Sequence, residues 1–164
     1  MSKINLLNSF KEFCKKNKFE INYSQIKVIV ELDKFLNSKK TIFNSIFKKN
    51  NKLCFYLVGS VGVGKTMILN FVYDQLNIKK LRLHFNEFMI NFHDFKHNNA
   101  KKEGNLVSLF VKNLKKKYEL IYLDEFQVTN IVDAMILGKL FEEIFLENIK
   151  IIITTNIKLD DLYK

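Results

Sequence analysis

The stretch that decides the fold is Gly59-Ser60-Val61-Gly62-Val63-Gly64-Lys65-Thr66. It matches the pattern G-x-x-x-x-G-K-[ST] and contains three of the five glycines in the chain. The apolar run 53–58 before it is typical of a buried strand, and residues 66–76 after it have helical periodicity. Glycines let backbone N–H groups turn inward around an anion, and the following helix points its positive dipole end at that anion. The stretch therefore predicts a phosphate-binding loop between a strand and a helix.

Two side chains in this loop have separate expected roles. Lys65 supplies a positive charge for the β- and γ-phosphates of a nucleoside triphosphate, and the Thr66 hydroxyl is an expected magnesium ligand. ATP and Mg²⁺ are the expected cofactors. The predicted nucleotide-binding residues are Gly59, Ser60, Val61, Gly62, Val63, Gly64, Lys65, Thr66 and Met67.

Two carboxylates follow another apolar strand, which we predict over residues 119–123. They are Asp124 and Glu125, and in an open parallel sheet the carboxyl ends of the strands are where ligands bind. We expect Asp124 to hold the magnesium ion together with Thr66, and Glu125 to polarise the attacking water.

A polar residue also follows the strand predicted over residues 149–154. The amide of Asn156 is expected to orient the same water against the γ-phosphate, although an asparagine after a strand is also an ordinary turn residue. The predicted catalytic residues are Glu125, Lys65 and Asn156.

Strands and helices alternate along the chain. Further helices are predicted over residues 4–14, from an N-cap at Ser24 to Leu36, over 41–47, from about Glu87, over 106–114 and after an N-cap at Asn130. A further strand is predicted over residues 80–85, and loops over 48–52 and 96–105. This order predicts a three-layer α/β/α fold with a mostly parallel sheet. We divide the chain into an N-terminal helical segment, residues 1–50, and a nucleotide-binding core, residues 51–164.

Composition and charge narrow the class of protein. No apolar run has the roughly 18 residues of a membrane span, and the N-terminus lacks the features of a signal peptide, so we expect a cytoplasmic protein with reduced Cys14 and Cys54. The formal net charge is +10, and Arg82 is the only arginine among many lysines. A basic surface can attract nucleic acid, but the lysine-rich and asparagine-rich profile also suits a coding bias. We therefore expect ATP rather than nucleic acid as the ligand.

Four stretches resemble those of a known family: 56–67, 82–89, 123–137, and Thr155-Asn156 with 160–163. They resemble the ZapE-type ATPases, also called ATPase-family-gene-one-like proteins, which are P-loop enzymes related to the AAA+ group. The stretch 123–137, LDEFQVTNIVDAMIL, is the most specific, because ordinary Walker-type ATPases do not continue into it. Residues 1–50 resemble the family only around Gln25.

The resemblance implies ATP hydrolysis, with Lys65, Thr66, Asp124, Glu125 and Asn156 in the roles given above. It also implies work in bacterial cell division, at the periphery of the division site, with division-ring or other protein clients. Eukaryotic relatives act in mitochondrial protein quality control. A homo-oligomer is a further implication.

The chain departs from the family pattern in several places. Val63 stands where the family has Arg, and Asn86 stands where it has a second His. The chain ends at Lys164, before the last strand, the helical lid and an arginine that completes a neighbour's site. We therefore expect those parts to be absent, ATPase activity to be weak in this chain alone, and the edge of the strand 53–58 to be uncovered. Arg82 belongs to the second-strand motif and is not expected to replace that arginine.

Two alternatives remain open at this point. The first is a nucleotide-binding fragment that does not hydrolyse ATP, which the missing C-terminal portion favours. The second is an ATP-dependent DNA-loading AAA+ protein, which the net charge of +10 favours.

Overall fold

The computed structural model describes residues 5–38, 52–101, 103–128 and 131–157. The helices of this part are α1 (Leu6–Asn17), α2 (Tyr23–Asn37), α3 (Lys65–Gln75), α4 (Phe85–Asn98), α5 (Leu106–Lys117) and α6 (Ile131–Leu146). The strands are β1 (Cys54–Val58), β2 (Lys80–His84), β3 (Leu120–Asp124) and β4 (Lys150–Thr155). From β1 to β4, consecutive strands are separated by one helix, or by two, α4 and α5, between β2 and β3, as the sequence predicts.

The chain forms two compact units. The first comprises Met1–Phe55 with Gly62–Asn77, and the second comprises Tyr56–Val61 with Ile78–Lys164. Helices α1, α2 and α3 belong to the first unit, whereas β2, β3, β4 and the later helices belong to the second. The glycine-rich loop contributes residues to both units.

The first unit is a helical cluster with aromatic packing. Its helices bury one apolar face each, through Leu6, Phe10 and Cys14 on α1, Ile29, Leu32 and Phe35 on α2, and Ile68, Leu69, Phe71 and Val72 on α3. The rings of Phe10 and Phe71 meet edge to face with their centroids 5.3 Å apart, which links α1 to α3.

Helix α2 begins two residues earlier than the sequence suggests. Asn22 is its N-cap, and its side chain accepts a hydrogen bond of 2.9 Å from the Gln25 amide. The prediction of Ser24 as the cap was wrong, because asparagine caps as well as serine and the apolar periodicity does not mark the first turn. The helix predicted over 41–47, the cap Asn130 and residues 160–163 lie outside the described residues.

The sheet has strand order β1-β4-β3-β2, and all of it except Cys54 and Phe55 of β1 belongs to the second unit. Strand β2 pairs in parallel with β3, from Lys80 opposite Leu120 to His84 opposite Asp124, and β3 pairs in parallel with β4. Strand β3 is buried along its whole length, as expected for a strand covered on both faces. The parallel sheet confirms the predicted α/β fold. In the described part of the chain, β1 lies at one edge of this sheet and β2 at the other.

Helix α4 is longer at both ends than predicted. It begins at Phe85, which was assigned to the strand, and it includes Lys96 to Asn98, which were assigned to a loop. Its buried face consists of Phe85, Phe88, Met89 and Phe92, at spacings of three and four residues. Burial of Phe85 on this face therefore outweighs its preference for a strand.

Candidate nucleotide site

The glycine-rich loop has the backbone that its sequence demands. Gly62 and Gly64 have φ values of 85° and 86°, a region that glycine adopts without steric cost. A Cβ atom on Gly64 would also lie 3.1 Å from the Gln25 side-chain nitrogen, so both conformation and space favour glycine there. The loop joins β1 to α3, and the predicted order of strand, loop and helix is confirmed.

The first turn of α3 contains no group of its own that would compete with a bound anion. Gly64 is the N-cap, no side chain caps the helix, and its first turn has no acidic residue. Lys65 is the first helical residue, and Thr66 after it is exposed. A helix start without carboxylates or side-chain caps retains its positive potential for a phosphate.

Asp124, the last residue of β3, accepts four hydrogen bonds from protein side chains. The hydroxyls of Tyr122 and Thr154 each donate to its Oδ1 atom at 2.7 Å. Arg82 donates to its Oδ2 atom through Nε at 3.0 Å and through Nη2 at 2.7 Å. A carboxylate has about four acceptor positions, so the carboxylate of Asp124 is fully occupied.

These donors decide the ionisation of Asp124. Burial, the largest single influence, raises the pKa of Asp124, but the hydrogen bonds from Tyr122, Thr154 and Arg82 together outweigh it, and the pKa lies below its ordinary value. Burial and the hydrogen bond to Asp124 raise the pKa of Tyr122, so its hydroxyl remains a proton donor. Asp124 is therefore an ionised carboxylate in a largely buried setting.

The pairing register of β2 and β3 explains how Arg82, Tyr122 and Asp124 meet. The sequence alone did not reveal this register. Arg82 lies opposite Tyr122 in the β2–β3 pair, with its guanidinium carbon 4.8 Å from the centroid of the Tyr122 ring. Tyr122 and Asp124 are two residues apart and share a face of β3. The available signal was the spacing of two between Arg82 and His84 in β2 and between Tyr122 and Asp124 in β3.

Glu125 is held in an exposed position by the backbone on either side of it. Its φ of 53° is left-handed, and its side chain is 78 % exposed. The next residue, Phe126, is fixed to β4: its amide donates to the Thr154 carbonyl at 2.8 Å, and its carbonyl accepts from the Thr155 hydroxyl at 2.7 Å. The His84 Nδ1 atom lies 3.6 Å from Glu125 Oε2. Such strained non-glycine conformations are common at functional sites.

The second unit brings several of the predicted residues to one edge of the sheet. The Gly59 amide donates to the Thr155 carbonyl at 3.3 Å, so the loop begins beside the end of β4. Asn156 follows directly and is exposed. Gly59, Asp124, Glu125 and Asn156 thus lie at the carboxyl ends of the strands, as the sequence predicts for ligand-binding residues. Residues 62–67 belong to the first unit.

The hydrogen bonds that Tyr122, Thr154 and Arg82 donate to Asp124 should make the free energy of unfolding depend on pH. The contribution of Thr154 can be measured on its own. The lowered pKa of Asp124 means that these hydrogen bonds stabilise the fold above about pH 4, the unfolded value, and that this contribution is lost as pH falls through the folded pKa. Thr154→Val should therefore cost about 2 kcal/mol at pH 7 and about 1 kcal/mol in acid, measured by urea unfolding at both pH values.

Thr155→Val provides the matched control. The Thr155 hydroxyl donates to the neutral Phe126 carbonyl and accepts from the Ile157 amide at 3.0 Å, so its loss should cost about 1–2 kcal/mol at either pH. An equal pH dependence in the two variants would contradict the assignment of the effect to Asp124.

The oxygen donors that the sequence predicts for magnesium are of the kind that this ion takes beside a nucleotide. In the part of the chain that the structure describes, no cluster of three His, Cys, Asp or Glu side chains could hold a metal by itself. Magnesium usually takes one or two protein oxygens and completes its shell with phosphates and water. The Thr66 hydroxyl and the Asp124 carboxylate are oxygen donors of that kind.

Within the described residues, none of the helices has both the length and the apolar character required to span a membrane.

The fold and the loop define the class of protein. A sheet in which β1 leads through a glycine-rich loop into α3 is the arrangement of the P-loop, AAA+-like α/β fold. Solved AAA+ structures share this fold. DnaI superimposes with a TM-score of 0.56 at 23 % identity, covering 89 % of this chain and 73 % of DnaI. Domain III of Thermotoga maritima DnaA gives 0.51 at 19 % identity, covering 78 % and 57 %.

The chain belongs to the AFG1-like ATPase family, whose family model matches residues 11–164. It is 35 % identical to Lactation elevated protein 1 homolog B of Danio rerio, over 67 % of this chain and 24 % of that protein. It is 34 % identical to Cell division protein ZapE of Escherichia coli K12, over 66 % of this chain and 29 % of that protein. The matches thus span about a quarter of these relatives' lengths. The family resemblance stated from the sequence is confirmed.

Proposed function

We propose that this chain binds Mg-ATP and hydrolyses it, as an ATPase of the ZapE type. The observation that carries the proposal is the glycine-rich loop, which has left-handed glycines and leads into a helix start without side-chain caps or acidic residues. Such a start suits phosphate rather than a neutral ligand. Family membership supports ATPase activity in general.

The proposed roles follow the chemistry of each side chain. The loop residues 59–67 bind the phosphates through backbone N–H groups, and Lys65 adds a positive charge. Thr66 and Asp124 hold the metal, which when bound neutralises charge on the β- and γ-phosphates. The exposed carboxylate of Glu125 accepts a proton from the attacking water, and Asn156 orients that water.

The cellular role is proposed from a relative. The Escherichia coli protein is named for cell division, and we propose a division-associated role for this chain too. The chain would act in the cytoplasm, at the periphery of the division site, on division-ring or other protein clients, and as a homo-oligomer. ATP rather than nucleic acid is its proposed ligand.

Titration with a fluorescent ATP analogue tests the biochemical part of this proposal. Binding should be tight with magnesium and weaker with EDTA, and the same samples with ATP should release inorganic phosphate. Failure to bind the analogue under both conditions would reject the proposal. Binding without release of phosphate would favour a nucleotide-binding module that does not hydrolyse ATP.

A further inference from the structure

Asp124 is the proposed metal ligand, yet a protein cation already occupies one of its oxygens. Arg82 places two donors on Oδ2, while Oδ1 accepts from two neutral hydroxyls. With about four acceptor positions filled, a metal that binds Asp124 directly must take a position from one of these donors. The positive charge of Arg82 also repels an incoming cation, whereas the hydroxyls of Tyr122 and Thr154 do not.

We propose that Arg82 is the internal counter-cation of Asp124: its guanidinium holds Oδ2 until Mg²⁺ enters, and it thereby sets the magnesium concentration at which the nucleotide site fills. This inference rests on the proposed Mg-ATP function. Arg82 acts through Asp124 and is therefore a positioning residue.

The surroundings of Asp124 allow this exchange without loss of its orientation. Tyr122 and Thr154 hold Oδ1 at 2.7 Å each, so the carboxylate remains fixed when Oδ2 is released. The Arg82 guanidinium lies over the Tyr122 ring, a contact that does not depend on Asp124. The Arg82 side chain is 29 % exposed, against 12 % for Asp124, so the cation has solvent to move into and the carboxylate does not.

The test is the magnesium concentration that gives half-maximal binding of a fluorescent ATP analogue. In Arg82→Gln this midpoint should fall about tenfold relative to the wild-type chain, because the competing charge is gone. Damage to the fold would weaken binding of the analogue and raise the midpoint. A lower midpoint is therefore a result that a merely structural role of Arg82 would not produce. Circular dichroism melting of each variant shows which variants are folded.

Two further variants separate charge from geometry. Arg82→Lys keeps the charge but loses the forked pair of donors, and its midpoint should fall about threefold. Tyr122→Phe removes one neutral donor and retains the ring under Arg82, so its midpoint should change by less than about twofold. If Arg82→Gln does not fold, the Arg82→Lys midpoint decides the question.

Each outcome bears on a different claim. An unchanged or higher magnesium midpoint in a folded Arg82 variant overturns the counter-cation role. A midpoint that falls as far in Tyr122→Phe as in Arg82→Gln also overturns it, because Tyr122 carries no charge and the effect would then not come from the charge of Arg82. If the wild-type chain binds the analogue without any dependence on magnesium, the inference fails while nucleotide binding stands. If the wild-type chain binds no analogue at all, the proposed function fails with it.

Discussion

Replacing Lys65 with alanine should weaken the binding of Mg-ATP by about thirtyfold to several thousandfold, because loss of one partner from a charge pair with a phosphate costs about 2–5 kcal/mol. Lys65 is the first residue of α3, directly after the left-handed Gly64. Alanine has the highest helix propensity, so the helix should persist and the loss should come from the missing charge. Titration with a fluorescent ATP analogue measures the change.

Lys27→Ala is the matched control for this variant. Lys27 is an exposed residue of α2, so its replacement removes the same charge from a solvated helix face. Its affinity for the analogue should stay within about twofold of the wild-type value. If the two variants lost affinity equally, the effect would belong to net charge, and the assignment of Lys65 to the phosphates would be wrong.

Glu125→Gln should lower the rate of phosphate release about a thousandfold while leaving the affinity for ATP within about twofold. General-base catalysis contributes about 10²–10⁴ to a rate, and glutamine has the same shape without a carboxylate to accept the proton. The side chain is 78 % exposed, so the exchange should change the free energy of unfolding by no more than about 0.5 kcal/mol. Single-turnover phosphate release and analogue binding, measured on the same samples, separate the two effects.

Glu142→Gln tests whether any carboxylate would give the same result. Glu142 is exposed on α6 and belongs to the same compact unit as Glu125. Its rate of phosphate release should match the wild-type rate. Normal release from Glu125→Gln would remove Glu125 from the mechanism, and loss of binding in that variant would assign it to nucleotide binding instead.

Elements with strong local signals could be predicted from the sequence. The loop 59–66 was recognised because few backbones other than a phosphate-binding turn need so many glycines before a lysine. Strands β3 and β4 were placed within one residue because their apolar runs are continuous and short, as in buried parallel strands. The positions of Asp124 and Asn156 at the strand ends followed directly.

The partners of Asp124 could not be predicted in the same way. Arg82 is 42 residues away in the chain, and its contact with Asp124 exists only because β2 pairs with β3 in one particular register. A shift of that register by one residue would turn Arg82 to the opposite face of the sheet. Spacing along the chain contains no record of register between strands, so Arg82, Tyr122 and Thr154 remained unassigned.

The ends of two helices, α2 and α4, were also predicted incorrectly from the sequence. Asn22 and Ser24 are both good caps, and only the backbone conformation of residue 22 decides between them. At the start of α4, burial of Phe85 extends the helix to the end of β2, although phenylalanine also suits a strand. Tertiary packing decided this boundary, and the local pattern did not show it.

The use of a single arginine in this chain has a practical consequence. Every arginine-directed reagent, such as phenylglyoxal, has one target here, because the remaining basic side chains are lysine and histidine. While Arg82 is paired with Asp124, the guanidinium should react slowly, and a guanidinium released by metal should react several-fold faster. Intact-protein mass spectrometry would then follow the two states of the pair in the wild-type sequence, as the rate at which the phenylglyoxal adduct on Arg82 forms.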